Sequence, residues 1–229
     1  MSAQLREWRR AAIAAVWQAR KASEDDRIVD AVVVYDSFVY DAQPLLQRSH
    51  KAGSDAAFAQ LDIDEAGMFE VANETGIAYA RQRAAELVGK RWTEDGELVD
   101  NPRAEYAIDE TTREQLRSTV TQALEGGWSN DRLADAIADS YTFSDERAEV
   151  VARTETAFAD VQGNLTAWKA SGEVAGKQWI TAPDCCDDCL ELDGVEVGID
   201  EDFPGDGEDG PPLHPNCRCD VVAVLSEAD

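Results

Sequence analysis

Two short stretches of the chain, 185-CCDDC-189 and 214-HPNCRC-219, contain all five of its cysteines and one of its two histidines. Two residues separate Cys186 from Cys189, and two separate His214 from Cys217. This is the spacing of zinc knuckles, because one tight turn can direct two donor atoms at a common point about 2.3 Å from the metal. The two stretches therefore predict a site at which their side chains cross-link the C-terminal part of the chain.

The predicted ligand set is Cys186, Cys189 and Cys217, with either His214 or Cys219 as the fourth ligand. Cys217 and Cys219 alternate along the chain, so on a regular strand they would face opposite ways and could share a metal only across a turn. Structural zinc is expected, because a reducing cytoplasm disfavours disulfides. A disulfide clasp from Cys186 or Cys189 to Cys217 or Cys219 is the alternative, and free structural thiols are a third interpretation.

Neither stretch has the pattern of a catalytic centre. A catalytic zinc keeps an open coordination position beside a general base, whereas the candidate ligands here outnumber the four positions of a tetrahedral site. Cys185 and His214 are a formal nucleophilic pair, but the flanking sequence of such a pair is missing. We therefore expect that the protein is not an enzyme.

Helical signals dominate the first 170 residues. Ser129 and Ser144 are placed to cap helices, and Thr111-x-x-Glu114 has the pattern of a capping box. A kink or an end is expected at Pro44 and a break at Gly53-Ser54, because proline and glycine both disfavour a helix interior.

Strand signals are confined to two places. Asp95-Gly96 predicts the turn of a short hairpin, and residues 178–181 and 220–224 have the composition of strands on either side of the cysteine-rich stretches. The sequence thus predicts an α+β fold with a mainly α-helical N-terminal part and a small β-containing, Cys/His-clasped C-terminal module.

The chain is strongly acidic. It has 47 acidic and 21 basic residues and a formal net charge of -26. Self-repulsion on this scale favours unfolding in dilute salt, a strain that halophilic proteins tolerate. A host that lives in high salt is one hypothesis, and an acidic protein from a mesophile with a GC-rich genome is the other. The sequence has no run of about 18 apolar residues, so no membrane span is expected.

The first 21 residues carry the opposite charge. Five basic side chains stand there against the single acid Glu7, and the spacing of the apolar residues is helical. A basic amphipathic helix on an acidic body is a candidate docking arm for an acidic partner or for DNA, and an ordinary packing helix is the alternative. The five are Arg6, Arg9, Arg10, Arg20 and Lys21.

Several further marks follow one another in a specific order between about Ile108 and Val224. They are the helix Thr111–Leu124 before Gly126-Gly127, the segment 152-ARTETA-157, the strand around Trp179, Cys186-x-x-Cys189 followed by Leu192-Asp193-Gly194, and 211-PPLHPNCRC-219. In these marks the chain resembles the Mu F-like family of phage minor head proteins, also called head morphogenesis proteins. Cys185 is an addition to the usual pair, and residues 1–107 carry no mark of the family.

The resemblance implies a virion protein of few copies, located in the head of a tailed virus and in the host cytoplasm during assembly. It implies the portal protein and the major capsid protein as partners and a role in genome packaging or delivery. It divides the chain into a helical N-terminal region, 1–107, and a Mu F-like domain, 108–229, with the Cys/His module at 176–224. A zinc-containing nucleic-acid-binding module carried in the virion is the alternative function.

Arg153 and Glu155 lie two positions apart on a predicted helix, so they point to different faces and are not expected to pair with each other. Thr154 between them lies on the apolar stripe of that helix. Its neighbours are therefore expected near the interface with the C-terminal module. Arg153 and Glu155 are therefore predicted to anchor the module or to contact a partner subunit, and surface pairing, for example of Arg153 with Glu149, is the alternative.

Overall fold

The computed structural model describes residues 35–61, 69–104, 107–126, 128–140, 144–205 and 209–226. The described helices are α1 (Tyr35–Gln60), α2 (Phe69–Glu86), α3 (Ile108–Glu125), α4 (Asn130–Ala138), α5 (Asp145–Ser171) and the short α6 (Asp187–Glu191). The described strands are β1 (Lys90–Trp92), β2 (Leu98–Asp100), β3 (Val174–Ile180), β4 (Glu196–Gly198) and β5 (Asp220–Leu225). Helices make up most of the first 171 residues, and a small antiparallel sheet with a Cys/His cluster follows them. The predicted α+β fold is confirmed.

The chain forms two compact units, residues 1–42 with 81–149 and residues 43–80 with 150–229. The predicted division into residues 1–107 and 108–229 stays a prediction. No helix in the described part of the chain is long and apolar enough to cross a membrane.

In the first unit, β1 and β2 form the hairpin that Asp95-Gly96 predicted. The two strands pair antiparallel, and Gly96 has a φ of 80°, a conformation that glycine adopts at little cost. Trp92 secures the hairpin, since its indole N–H donates to the main-chain oxygen of Arg81 at 3.1 Å and the Arg81 guanidinium lies 4.2 Å from the ring centre.

The capping box predicted at Thr111 is wrong, because α3 begins three residues earlier, at Ile108. The Thr111 hydroxyl donates to the main-chain oxygen of Ile108 at 3.1 Å and accepts a hydrogen bond from the guanidinium of Arg147 at 2.6 Å. Arg147 is buried and also donates to the Thr112 hydroxyl. The predicted caps Ser129 and Ser144 are both confirmed by hydrogen bonds to main-chain N–H groups three residues on.

In the second unit, the strand order is β4-β3-β5, with every pair antiparallel. One apolar core joins this sheet to the helices around it, and its largest fully buried side chains are Trp168, Trp179 and Phe58. Trp179 packs edge-to-face on Phe203, with 5.2 Å between the ring centres. The core includes Cys189, Cys217 and Cys219, so the predicted clasp is part of the hydrophobic interior.

The expected breaks at Pro44 and Gly53-Ser54 do not end α1, which continues to Gln60. Gly53 and Ser54 are both buried, and the Ser54 hydroxyl donates to the main-chain oxygen of Gly163 at 3.0 Å. Contact with α5 thus outweighs the weak helix propensity of glycine and serine, which is under about 1 kcal/mol per residue.

Candidate metal centre

The first pair of candidate ligands lies at the start of α6. Cys186 is the residue before the helix, in extended conformation, and its sulfur accepts the N–H of Cys189 at 3.5 Å. This capping interaction directs both sulfurs to the same side of the turn. Cys186 is exposed and Cys189 is fully buried, so the pair reaches from the surface into the core.

The second pair lies on a tight turn before β5. The N–H of Cys217 donates to the main-chain oxygen of His214 at 3.1 Å, which closes a four-residue turn. Pro215 fixes the second position, and Asn216 takes the third with a φ of 63°. Proline followed by a residue with positive φ is typical of a type II turn. As in the first pair, one turn carries two candidate ligands three positions apart.

The two turns bring their donor atoms together. Nε2 of His214 lies 3.2 Å from Sγ of Cys186 and 3.5 Å from Sγ of Cys189. The sulfurs of Cys189 and Cys217 are 3.7 Å apart. In a tetrahedral site with zinc–sulfur bonds near 2.3 Å and zinc–nitrogen bonds near 2.0 Å, neighbouring donors are about 3.5–3.8 Å apart. These three donor pairs therefore have separations close to those expected around a metal ion of this size.

Cys219 belongs to a second, buried group with Cys189 and Cys217, in which the sulfurs lie within 4.8 Å of one another. Residues 217–219 precede β5 and are irregular. The strand geometry that would turn Cys217 and Cys219 away from each other therefore does not apply. The other group consists of Cys186, Cys189 and His214, so Cys189 is common to both groups.

The surroundings shift the thiol pKa values in different directions. The N–H of Cys189, donated to its sulfur, lowers the pKa of Cys186. Burial raises the pKa of Cys189 and of Cys219 above the usual value for a thiol. Metals bind the thiolate form, so a metal that binds here has to displace protons from the buried cysteines.

All five cysteines are unbonded in the structure. The 3.7 Å between the sulfurs of Cys189 and Cys217 is well beyond the S–S bond length of about 2.05 Å. Cys185, which was not predicted as a ligand, is half-buried and lines the cavity that opens beside the cluster. Metal and solvent can therefore reach the donors from this side.

Arg153 and Thr154 connect α5 to the second turn. The guanidinium of Arg153 donates to Oδ1 of Asn216 at 2.7 Å, and the Thr154 hydroxyl accepts the Asn216 N–H at 2.8 Å. These bonds join α5 to the turn, and the anchoring roles of Arg153 and Glu155 stay predictions. Glu155 is buried, with 5% of its surface exposed. Arg6, Arg9, Arg10, Arg20 and Lys21 lie outside the described residues.

Asn216 and the hydroxyl of Thr154 were not among the predicted site residues. A signal for Asn216 was present, because Pro-Asn between two candidate ligands is a type II turn pattern, and asparagine tolerates positive φ better than most residues. No local signal pairs Thr154 with a turn that lies 62 residues later.

A family model described as Phage Mu protein F like protein matches residues 114–222. The match begins in α3 and ends in β5, so it includes α5, both ligand turns and the sheet. No curated protein matches the chain, and no solved structure does.

Proposed function

We propose that the chain is a minor head protein that docks on the portal, because residues 114–222 match the Phage Mu protein F like family of head morphogenesis proteins. In this proposal it is present in few copies in the head, contacts the portal protein and the capsid interior, and takes part in packaging or delivering the genome. Assembly takes place in the host cytoplasm.

The main structural support for this proposal is the proximity of two ligand turns, residues 186–189 and 214–217. Both turns lie inside the region that matches the family. A metal bound there would tie α6 to the segment before β5 and give the module a fixed shape. Partner docking favours such a shape, because a preorganised surface loses less conformational entropy on binding.

The proposed metal is zinc, held by Cys186, Cys189, His214 and Cys217. Thiolates and imidazole in tetrahedral arrangement are typical of zinc, which supplies no redox chemistry and here would supply folding energy alone. Cys219 is the fifth donor. Its sulfur shares the buried group with Cys189 and Cys217, so it is the natural replacement if one of the four is lost.

A structural, non-catalytic role follows from this assignment. Four protein ligands fill a tetrahedral site and leave no position for a substrate or an activated water. Both histidines of the chain also have structural surroundings, since His214 is a proposed ligand and His50 is buried beside Thr166.

Genomic DNA is a second proposed partner, through the basic residues Arg6, Arg9, Arg10, Arg20 and Lys21. The rest of the chain argues against extensive DNA contact, because binding by counterion release needs clustered lysine and arginine. No lysine or arginine occurs between Lys177 and Arg218. We therefore rank protein partners above DNA.

Pull-down of the portal protein from cells that assemble heads tests the proposal. We expect the intact chain to retain the portal, and we expect Cys189→Ser and Cys217→Ser to lose it together with incorporation into heads. Cys185→Ser is the matched control, because it changes a neighbouring cysteine that is not a proposed ligand, and it should behave like the intact chain.

Two outcomes would overturn the proposal. If the ligand variants enter heads as well as the intact chain does, the clasp is not needed for docking. If the intact chain retains DNA but no portal, and loses DNA when residues 1–21 are deleted, the nucleic-acid-binding alternative is favoured instead.

A further inference from the structure

The turn that carries His214 and Cys217 contains the only non-glycine residue with positive φ in the described part of the chain, Asn216. Such a conformation is unfavourable for most side chains, and asparagine tolerates it because its short amide can make local hydrogen bonds. Asn216 makes its bonds to another element instead. Its N–H and its side-chain oxygen both bond to α5.

The Thr154 hydroxyl, which accepts the N–H of Asn216, is held in one orientation. The Thr154 hydroxyl has one proton, which it donates to the main-chain oxygen of Val150 at 2.8 Å. Its lone pairs are therefore directed at the N–H of Asn216, 2.8 Å away, and Thr154 is 6% exposed, so little water competes for this N–H. Arg153 adds a charged donor to the Asn216 amide from the exposed side. We call Arg153, Thr154 and Asn216 the latch.

The latch acts on the geometry of two proposed ligands. Asn216 lies between His214 and Cys217, so its backbone angles set the separation of the imidazole and the sulfur. Both of these atoms approach Cys189, at 3.5 Å and 3.7 Å. A turn that relaxed at Asn216 would move one donor away from the other, and the metal would have to restore the arrangement when it binds.

We propose that Thr154 and Arg153 are positioning residues of the metal centre, which hold Asn216 so that His214 and Cys217 are already in place before the metal binds. The inference rests on the proposed metal centre and extends it to α5. Because such coupling is reciprocal, a bound metal also strengthens the contact between α5 and the turn. Groups that orient metal ligands typically change metal affinity by about 10–100-fold when they are removed.

Titration of the full-length chain with Co²⁺ tests this, followed by competition with Zn²⁺. Thiolate ligands give Co²⁺ strong charge-transfer absorption, so the readout is metal affinity and needs no partner protein. We expect Thr154→Val, which has the same shape without the hydroxyl, to weaken binding about tenfold or more. Thr154→Ser keeps the hydroxyl and should bind within about threefold of the intact chain. Thr156→Val, at an exposed position of α5, should have no effect.

Arg153→Met provides a second test at an exposed position, where folding tolerates substitution. We expect weaker Co²⁺ binding here too, by a smaller factor, because the Thr154 bond remains. Equal affinity of Thr154→Val and the intact chain would overturn the proposal, as would equal losses in Thr154→Val and Thr154→Ser. If Thr154→Val does not fold, unchanged affinity in Arg153→Met overturns it.

If the protein has no metal centre at all, the Co²⁺ titration gives a different result. In that case the intact chain gives no charge-transfer band with Co²⁺, and the latch proposal is overturned together with the metal centre. A band in the intact chain with no difference among the variants removes the latch and leaves the metal centre and the portal proposal standing.

Discussion

Gly163 on α5 lies directly against the main-chain oxygen of His50 on α1. A Cβ atom added at Gly163 would be 2.0 Å from that oxygen. The contact is reciprocal, because a Cβ at Gly53 on α1 would be 2.0 Å from the main-chain oxygen of Asp160 on α5. Two glycines, one from each helix, therefore allow the backbones of α1 and α5 to touch.

Gly163→Ala should destabilise the protein although alanine favours helix by about 1 kcal/mol. The added methyl has backbone on its far side and cannot be relieved by a side-chain rotation, so we expect a net loss of about 1–3 kcal/mol in the free energy of unfolding. Urea denaturation measures this loss. Thr156→Ala, at an exposed position of the same helix, should change stability by less than about 0.5 kcal/mol, and a similar small effect at Gly163 would mean that the helices do not touch there.

His50 should make stability fall at mildly acidic pH. Burial lowers the pKa of His50 from its usual 6.5. Thr166 donates its hydroxyl proton to Gln162, so the imidazole donates from Nε2 to Thr166, and no group in the described residues hydrogen-bonds to Nδ1. Protonation would place a new N–H beside Gly76, where the described residues offer no acceptor.

The sign of this effect follows from proton binding. Above pH 6.5 the imidazole is neutral in both states, and below it the unfolded chain binds a proton before the folded one does, so the free energy of unfolding falls. We expect the intact chain to lose stability between pH 7 and pH 5 relative to His50→Gln. The raised pKa of Asp160, caused by burial and by the charge of Asp220, is common to both proteins and cancels. Parallel stability curves would show that His50 does not titrate differently in the two states.

The ion pair between Lys177 and Asp209 should contribute more stability than a surface pair. Lys177 is fully buried, and its ammonium group donates to both the carboxylate and the main-chain oxygen of Asp209. Asp209→Asn would leave this charge buried without its counter-charge, which we expect to cost about 2 kcal/mol. Asp200→Asn is the matched control, because its partner Lys169 is exposed, and it should cost under about 0.5 kcal/mol. Equal effects in thermal or urea unfolding would contradict this difference.

Stability should rise with salt. The net charge of -26 is concentrated in stretches without basic residues, and at high ionic strength the repulsion among exposed carboxylates is screened. We expect the melting temperature to be higher in about 2 M KCl than in dilute buffer, with the same increase in KCl and NaCl. Equal melting temperatures at low and high salt would remove the argument for a host that lives in high salt.

Features that depend on neighbouring residues were predictable from the sequence. The Ser129 and Ser144 caps, the Asp95-Gly96 turn and the two turns that carry the candidate ligands each result from interactions within about four positions, and the structure has all of them. A metal site with four protein donors would require the two turns to meet, and the structure brings donors from both within 3.2–3.7 Å of one another.

Features that depend on distant contacts were missed or wrongly predicted. Gly53 has the local signal of a helix break, yet α1 continues because the glycine fits against Asp160, which lies 107 positions later. Lys177 has the local signal of a surface residue and is fully buried through Asp209. The latch also depends on a distant contact, since Thr154 and Asn216 are 62 positions apart in the sequence.

The metal content of the purified chain, measured together with its free thiols, tests the central claim most directly. Protein prepared under reducing conditions without chelator should contain one zinc ion per chain, and after denaturation with chelator all five cysteines should react as thiols. A chain without bound metal would contradict the claim that Cys186, Cys189, His214 and Cys217 hold the module together through zinc. Fewer than five thiols in that chain would assign the same role to a disulfide.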